Sequence, residues 1–236
     1  MRKLIQFELK RNSLRTYHIA TGIIMVVMLS FLYLLAAIPQ IDPTDADSEL
    51  FMSYKFIIGL DNVISMAAFS IMSAAMSAKF IVDEYTGKKA VLLFSYPIDR
   101  GRILDAKIIT VFSYTAVSML ICNGIILMIF FVTESLFPLC SDTMDMKLIL
   151  NCILSLLCYS LMAALLGLIS CWFGFIKKSM IATIISACVI ALALCQIVAM
   201  TLFAHTVIII VILAVVFLAA KSAQISLRHQ VKEMEV

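Results

Sequence analysis

SMIATIISACVIALALCQIVAMTLFAHTVIIIVILAVVFLAA, residues 179–220, runs for 42 residues without an Asp, Glu, Lys or Arg. As one helix it would be about 63 Å long at 1.5 Å per residue, whereas about 20 apolar residues suffice to cross ~30 Å of hydrocarbon. A single crossing has no use for that length, so the stretch is expected to fold back as two spans. Gln196, Thr201, His205 and Thr206 place the turn near 198–205. Four more stretches are long and apolar enough to cross: Tyr17 to Ile38, Phe56 to Ala78, Ile108 to Thr133 and Leu148 to Ile176. Only the second holds a charged residue, Asp61. The expected fold class is therefore all-α, a polytopic membrane protein with six transmembrane helices in a single domain over 1–236.

Composition agrees with that reading. Hydrophobic residues make up 63% of the 236-residue chain and charged residues only 14%, against about 25% charged in a soluble domain. Too little polar surface exists to cover a globule, so lipid must cover it. The basic start Met1–Arg15 leads into the first apolar run with no small-residue cleavage pattern behind it, so that run is expected to stay as an anchor. The first 16 residues read as an interfacial helix with Leu4, Phe7 and Leu14 on one face and Ile5 and Leu9 on a second stripe, its Lys and Arg snorkelling to water.

The charges set the direction. Segments 1–16, 79–107, 177–178 and 221–236 hold 16 of the 18 Lys and Arg, and the other connections keep only Lys55 and Lys147 beside seven acids. Under the positive-inside rule both termini are cytoplasmic, and 39–55 and 134–147 lie outside. The expected location is the bacterial plasma membrane. Outer loops this short leave no room for a solute-capturing domain.

Several chemistries drop out. Asp61 is the sole carboxylate inside a span, near the outer end of its helix, and neither it nor His205 has an evident partner for acid–base work; Asp61 is expected to reach headgroup water or cap against Asn62. No catalytic residue is assigned. Gly87-Lys88-Lys89 lacks the first glycine and the Ser/Thr of a P-loop, so ATP is not bound that way. The basic residues are scattered over the inner segments and read as contacts to anionic lipid, not nucleic acid. The seven cysteines, an odd number, show neither CxxC nor zinc spacing; they read as small packing residues, and no metal site is expected. Small residues recurring every fourth position mark close helix contacts: Ser70, Ala74 and Ala78, with Ser73 and Ser77, in the second span; Ala163 and Gly167 in the fourth; Ala187, Ala191 and Cys195 in the fifth. They serve either packing within one chain or a subunit interface.

The inner segment 79–107 is the longest on the basic side. It has a polar start, an apolar patch around 90–94, a Pro97-Ile98-Asp99-Arg100-Gly101 turn and a basic return to the membrane. A short amphipathic helix closed by Pro97 would offer Leu92, Leu93 and Phe94 either to a soluble partner or to the inner rim of the bundle. Glu84, then Gly87, then Leu92-Leu93, then Pro97-Ile98-Asp99-Arg100, then Lys107 resembles the permease subunits of type-2 ABC exporters, as does the opening Phe7-Glu8-Leu9-Lys10-Arg11.

The resemblance implies that 83–100 is a coupling helix docking on a separate ABC ATPase, which would hold ATP and Mg; this chain would need no cofactor of its own. Glu84, Tyr85, Gly87, Leu92, Leu93, Phe94, Pro97 and Arg100 are then the coupling residues. It further implies two permeases, identical or homologous, rotating against each other. The short outer turn between spans five and six departs from larger members, which carry re-entrant half-helices there. The small, domain-poor chain is similar to permeases of bacterial peptide-toxin and lantibiotic exporters, including phenol-soluble-modulin exporters. An amphipathic peptide is the expected cargo, with Asp61, Asn62, Met66, Met72 and Met76 as a possible substrate path and Met119 beside them. A drug or lipid-like amphiphile is the alternative cargo, and a non-transporting membrane scaffold or sensor the alternative of another class.

Overall fold

A computed structural model describes residues 14–41, 51–86, 100–136, 146–200 and 206–233. They form six helices long and apolar enough to cross a membrane: α1 (Arg15–Ile41), α2 (Tyr54–Ser77), α3 (Arg100–Leu136), α4 (Met146–Ile176), α5 (Met180–Met200) and α6 (Thr206–Glu233). The division of 179–220 into two helices is as expected, with 201–205 outside the described residues.

The α2 and α4 helices form the centre. Buried positions take up 61% and 67% of their most apolar windows, against 22% in α1, α5 and α6. Small residues allow this. Ser70, Ala74 and Ala78 on α2 and its continuation, and Ala163 on α4, are all buried, and a Cβ added to Gly167 would collide with the Ser73 side chain. The rim helices turn aliphatic residues outward, such as Ile23 and Val27 on α1, Ile185 and Val189 on α5, and Val211 and Leu218 on α6. These are the residues that lipid must cover.

The turn from α4 to α5 is the tightest. Ser179 N–H reaches the Gly174 carbonyl at 3.1 Å and Lys178 N–H the Phe175 carbonyl at 3.1 Å, with Lys178 at φ 47°. This is the pattern in which a left-handed residue satisfies the last carbonyls of a helix. It folds α5 back along α4, so closely that a Cβ on Gly174 would strike Thr183.

Two helices run further than hydropathy suggests. At its basic end α2 continues through a π-helical turn, Ala78–Val82. The third helix starts at Arg100, so the last third of the expected inner loop is helical. Lys107, expected to open the third span at the membrane surface, instead lies inside the bundle at 1% exposure.

Candidate functional site

Lys107 sits two turns into α3 and is buried, so its ammonium must find partners or be expelled. It finds two. Its Nζ donates to the Phe80 carbonyl at 2.8 Å and forms an ion pair with Glu84. The π turn and the chain end behind it explain the first contact. Asp83 N–H returns to Ala78 and Tyr85 N–H to Ile81, and the lysine serves the Phe80 carbonyl at the end of the helix. A cation there also meets the negative end of the helix dipole.

Aromatic rings lock the same place from other sides. The Tyr85 ring lies 5.8 Å from Phe175 of α4 and 5.9 Å from the Lys107 ammonium, and Phe80 packs edge-on against Tyr17 of α1 at 5.5 Å. Phe80, Tyr85 and Lys107 are each at most 3% exposed. The two chain ends that enter and leave segment 87–99 are thus tied to each other and to α1 and α4. A longer contact lies alongside, Arg228 of α6 to Asp105 of α3 at 3.6 Å, with Arg228 half-exposed and Asp105 mostly buried.

A second polar set lies nearer the acidic end. Asp61, Asn62 and Ser65 of α2 and Asn123 of α3 are all buried, at 2%, 1%, 0% and 1% exposure. Asn123 Nδ2 donates to Asn62 Oδ1 at 3.0 Å. Among the described residues, Asp61 Oδ1, Ser65 Oγ and Asn123 Oδ1 have no hydrogen-bond partner. The expectation that Asp61 reaches headgroup water or caps against Asn62 is overturned: neighbouring helices enclose it, and Asn62 pairs across to α3. Beyond it, Tyr54 donates to Glu134 at 2.7 Å. Among the described residues no three His, Cys, Asp or Glu are grouped to hold a metal.

Of the sequence-derived coupling residues, Glu84 and Tyr85 are brought together by Lys107. Gly87, Leu92, Leu93, Phe94 and Pro97 lie outside the described residues, as do residues 1–13 of the interfacial segment; Arg100 opens α3. Met66, Met72 and Met76 are buried in the main core cluster with Phe69 and Met119. Sequence reasoning gave Lys107 only a place in a motif. Its buried pairing with Glu84, 23 residues away, and the roles of Asn123, Tyr54 and Glu134 were missed. The one available signal was that Glu84 and Lys107 open and close the same pattern.

The family model for ABC-2 family transporter proteins matches residues 4–194. The chain belongs to the ABC-2 transporter family. An ABC-2 permease is a membrane component without an ATPase of its own, and membership implies an ABC ATPase as its partner. The chain is also 27% identical over 192 residues to the uncharacterised protein YcbO of Bacillus subtilis strain 168, covering 80% of this chain and 81% of that one. No solved structure matches it. The Lys107–Glu84 mount in this ABC-2 permease therefore stands at both ends of the segment that carries the family-like motif.

Proposed function

We propose that this permease converts ATP-driven motion of a separate ABC ATPase into export of an amphipathic substrate, with an amphipathic peptide as the cargo. The observation that carries the reading is the buried Lys107–Glu84 pair with the Phe80 carbonyl, because it gives segment 83–100 a stiff connection to α2, α3 and α4. The ATPase holds ATP and Mg, and Leu92, Leu93 and Phe94 seat in its groove. The basic end of the bundle faces the cytoplasm, both termini included, in a bacterial plasma membrane; the 16-to-2 split of Lys and Arg supports this orientation. Two permeases, identical or homologous, form the unit, since six short spans enclose little path alone.

The cargo assignment rests on the scarcity of charge in the spans. A hydrophilic solute would be stripped of water at several kcal/mol per unpaired polar group, while an amphiphile meets apolar and methionine-lined surface. Met72 is the part of that buried surface turned to α1: its sulfur accepts a hydrogen bond from Thr21 of α1 at 3.6 Å, so separation of α1 from α2 would uncover it. Asp61 and Asn62 would then supply polar contacts.

Leu93→Asp and Phe94→Asp test the docking. Each removes roughly 1.5–3 kcal/mol of side-chain burial and adds an unpaired carboxylate. Both variants should insert normally and lose the co-purifying ATPase; retention of the ATPase and of its stimulation in both would overturn the assignment. Amphipathic peptides should raise ATP turnover of the reconstituted complex above sugars or ions, and the reverse order would sink the cargo. Impermeant thiol reagents on cells should label Asp45→Cys and spare Lys88→Cys; labelling at 88 would invert the orientation.

A further inference from the structure

The α3 and α6 helices both lean on α4 but barely touch each other. Between them runs a membrane-facing cleft of about 480 Å³, walled by Phe112 of α3, Leu161 and Leu165 of α4, and Leu213 and Phe217 of α6. A second space of about 300 Å³ shares Phe112, Leu165 and Phe217 and continues the cleft to Lys221 and Gln224 at the basic end. The wall is hydrocarbon along the span and turns cationic where the span ends. Lys221 folds back over this mouth, its Nζ 5.6 Å from the Phe217 ring centre and 3.4 Å from Gln224 Oε1. Among the described residues no carboxylate neutralises it.

We propose that this cleft is a binding site for an anionic phospholipid of the leaflet at the basic end, one acyl chain lying between α3 and α6 and the phosphate on Lys221. The charge pattern selects this occupant. An acyl chain needs a long apolar slot open to the bilayer, and a phosphate needs a cation at headgroup depth with a donor amide beside it. Gln224, one turn beyond Lys221 on α6, supplies that amide. An extended peptide segment would leave its backbone groups unpaired against this apolar wall, and a helical one brings no phosphate to Lys221. None of Lys107, Glu84 and Phe80 lines the cleft, and a bound lipid would bridge α3 and α6.

Trp172, the chain's single tryptophan, is a built-in reporter. It lies one turn beyond the cleft residue Leu168 on α4 and donates to Ser226 of α6 at 3.0 Å, beside the cationic mouth. The full chain is reconstituted in vesicles containing brominated phosphatidylglycerol or brominated phosphatidylcholine at equal mole fraction, and short-range bromine quenching of Trp172 is read. Brominated phosphatidylglycerol should quench more strongly. Lys221→Glu should abolish the headgroup preference. Ala214→Phe, at an exposed position on the cleft wall, should reduce quenching by both lipids without disturbing the fold. Lys79→Glu, an equal charge change on the exposed face of another helix, should keep the preference. Equal quenching by the two lipids, no quenching by either, an unchanged preference in Lys221→Glu, or an equal loss in Lys79→Glu would overturn the proposal. The second of these outcomes would mark a cleft covered by a second copy or by cargo.

Discussion

Lys107 and Asp61 are ionisable side chains buried to almost the same degree, at 1% and 2% exposure, yet their surroundings are opposite. Lys107 meets Glu84 and the Phe80 carbonyl, while one carboxyl oxygen of Asp61 has no partner among the described residues. A buried pair holds two elements in one geometry and fails badly when halved. A half-satisfied polar set holds nothing so firmly, and it leaves groups free to take new partners when the helices shift. The basic end of the bundle is held by a paired lysine and glutamate, and the region around Asp61 by a polar set only partly paired among the described residues.

Halving the pair should produce the largest effect. Lys107→Met strands Glu84 and should destabilise the permease by about 3–5 kcal/mol, the scale of a broken buried pair. Thermal unfolding in detergent is the readout, and Lys107→Met with Glu84→Gln should recover most of the loss. A single variant that melts like the parent would mean that the mount bears no load. Next comes Gly167→Val, which drives methyl groups into Ser73 and should cost about 1–3 kcal/mol by overpacking, with Ser73→Gly as the compensating change. No recovery in the double variant would place the strain elsewhere. Asp61→Asn sharpens the contrast. With no ion pair to lose among the described residues, it should shift stability by no more than about 1 kcal/mol, the net scale of one hydrogen bond. A drop as large as that of Lys107→Met would erase the distinction between the two regions. Arg228→Ala should do least, at about 0–1 kcal/mol, because its contact with Asp105 is long, at 3.6 Å, and the Arg228 end is half-exposed.

The spans were legible in the sequence because the bilayer demands long uncharged runs, and 179–220 permits no other reading. The ends of the helices were not. Hydropathy penalises Arg102, Asp105 and Lys107, so α3 appeared to start at Ile108, although a helix can carry those residues once Glu84 and Arg228 answer them. Enclosure was not legible for the same kind of reason. Counting along α2 put Asp61 near the surface, but burial depends on α3 and the other helices around it, which no count along one helix contains. Small residues such as Ser73 and Gly167 were visible as a pattern; which two would meet was not, because a repeat states a face and not its partner. The pairing of Glu84 with Lys107 had one trace, the shared motif, and spacing alone does not turn a motif into a contact.

The central claim is that the Lys107–Glu84 pair transmits work between the docking segment and the helices. It is tested most directly by a double-mutant cycle of Lys107→Met and Glu84→Gln in the reconstituted complex, reading ATP turnover stimulated by an amphipathic peptide alongside the amount of ATPase bound. The account predicts that each single variant still binds the ATPase but loses peptide stimulation, and that the double variant loses no more than the worse single, since both changes remove one interaction. Stimulation that survives in Lys107→Met, or losses that simply add in the double variant, would contradict it.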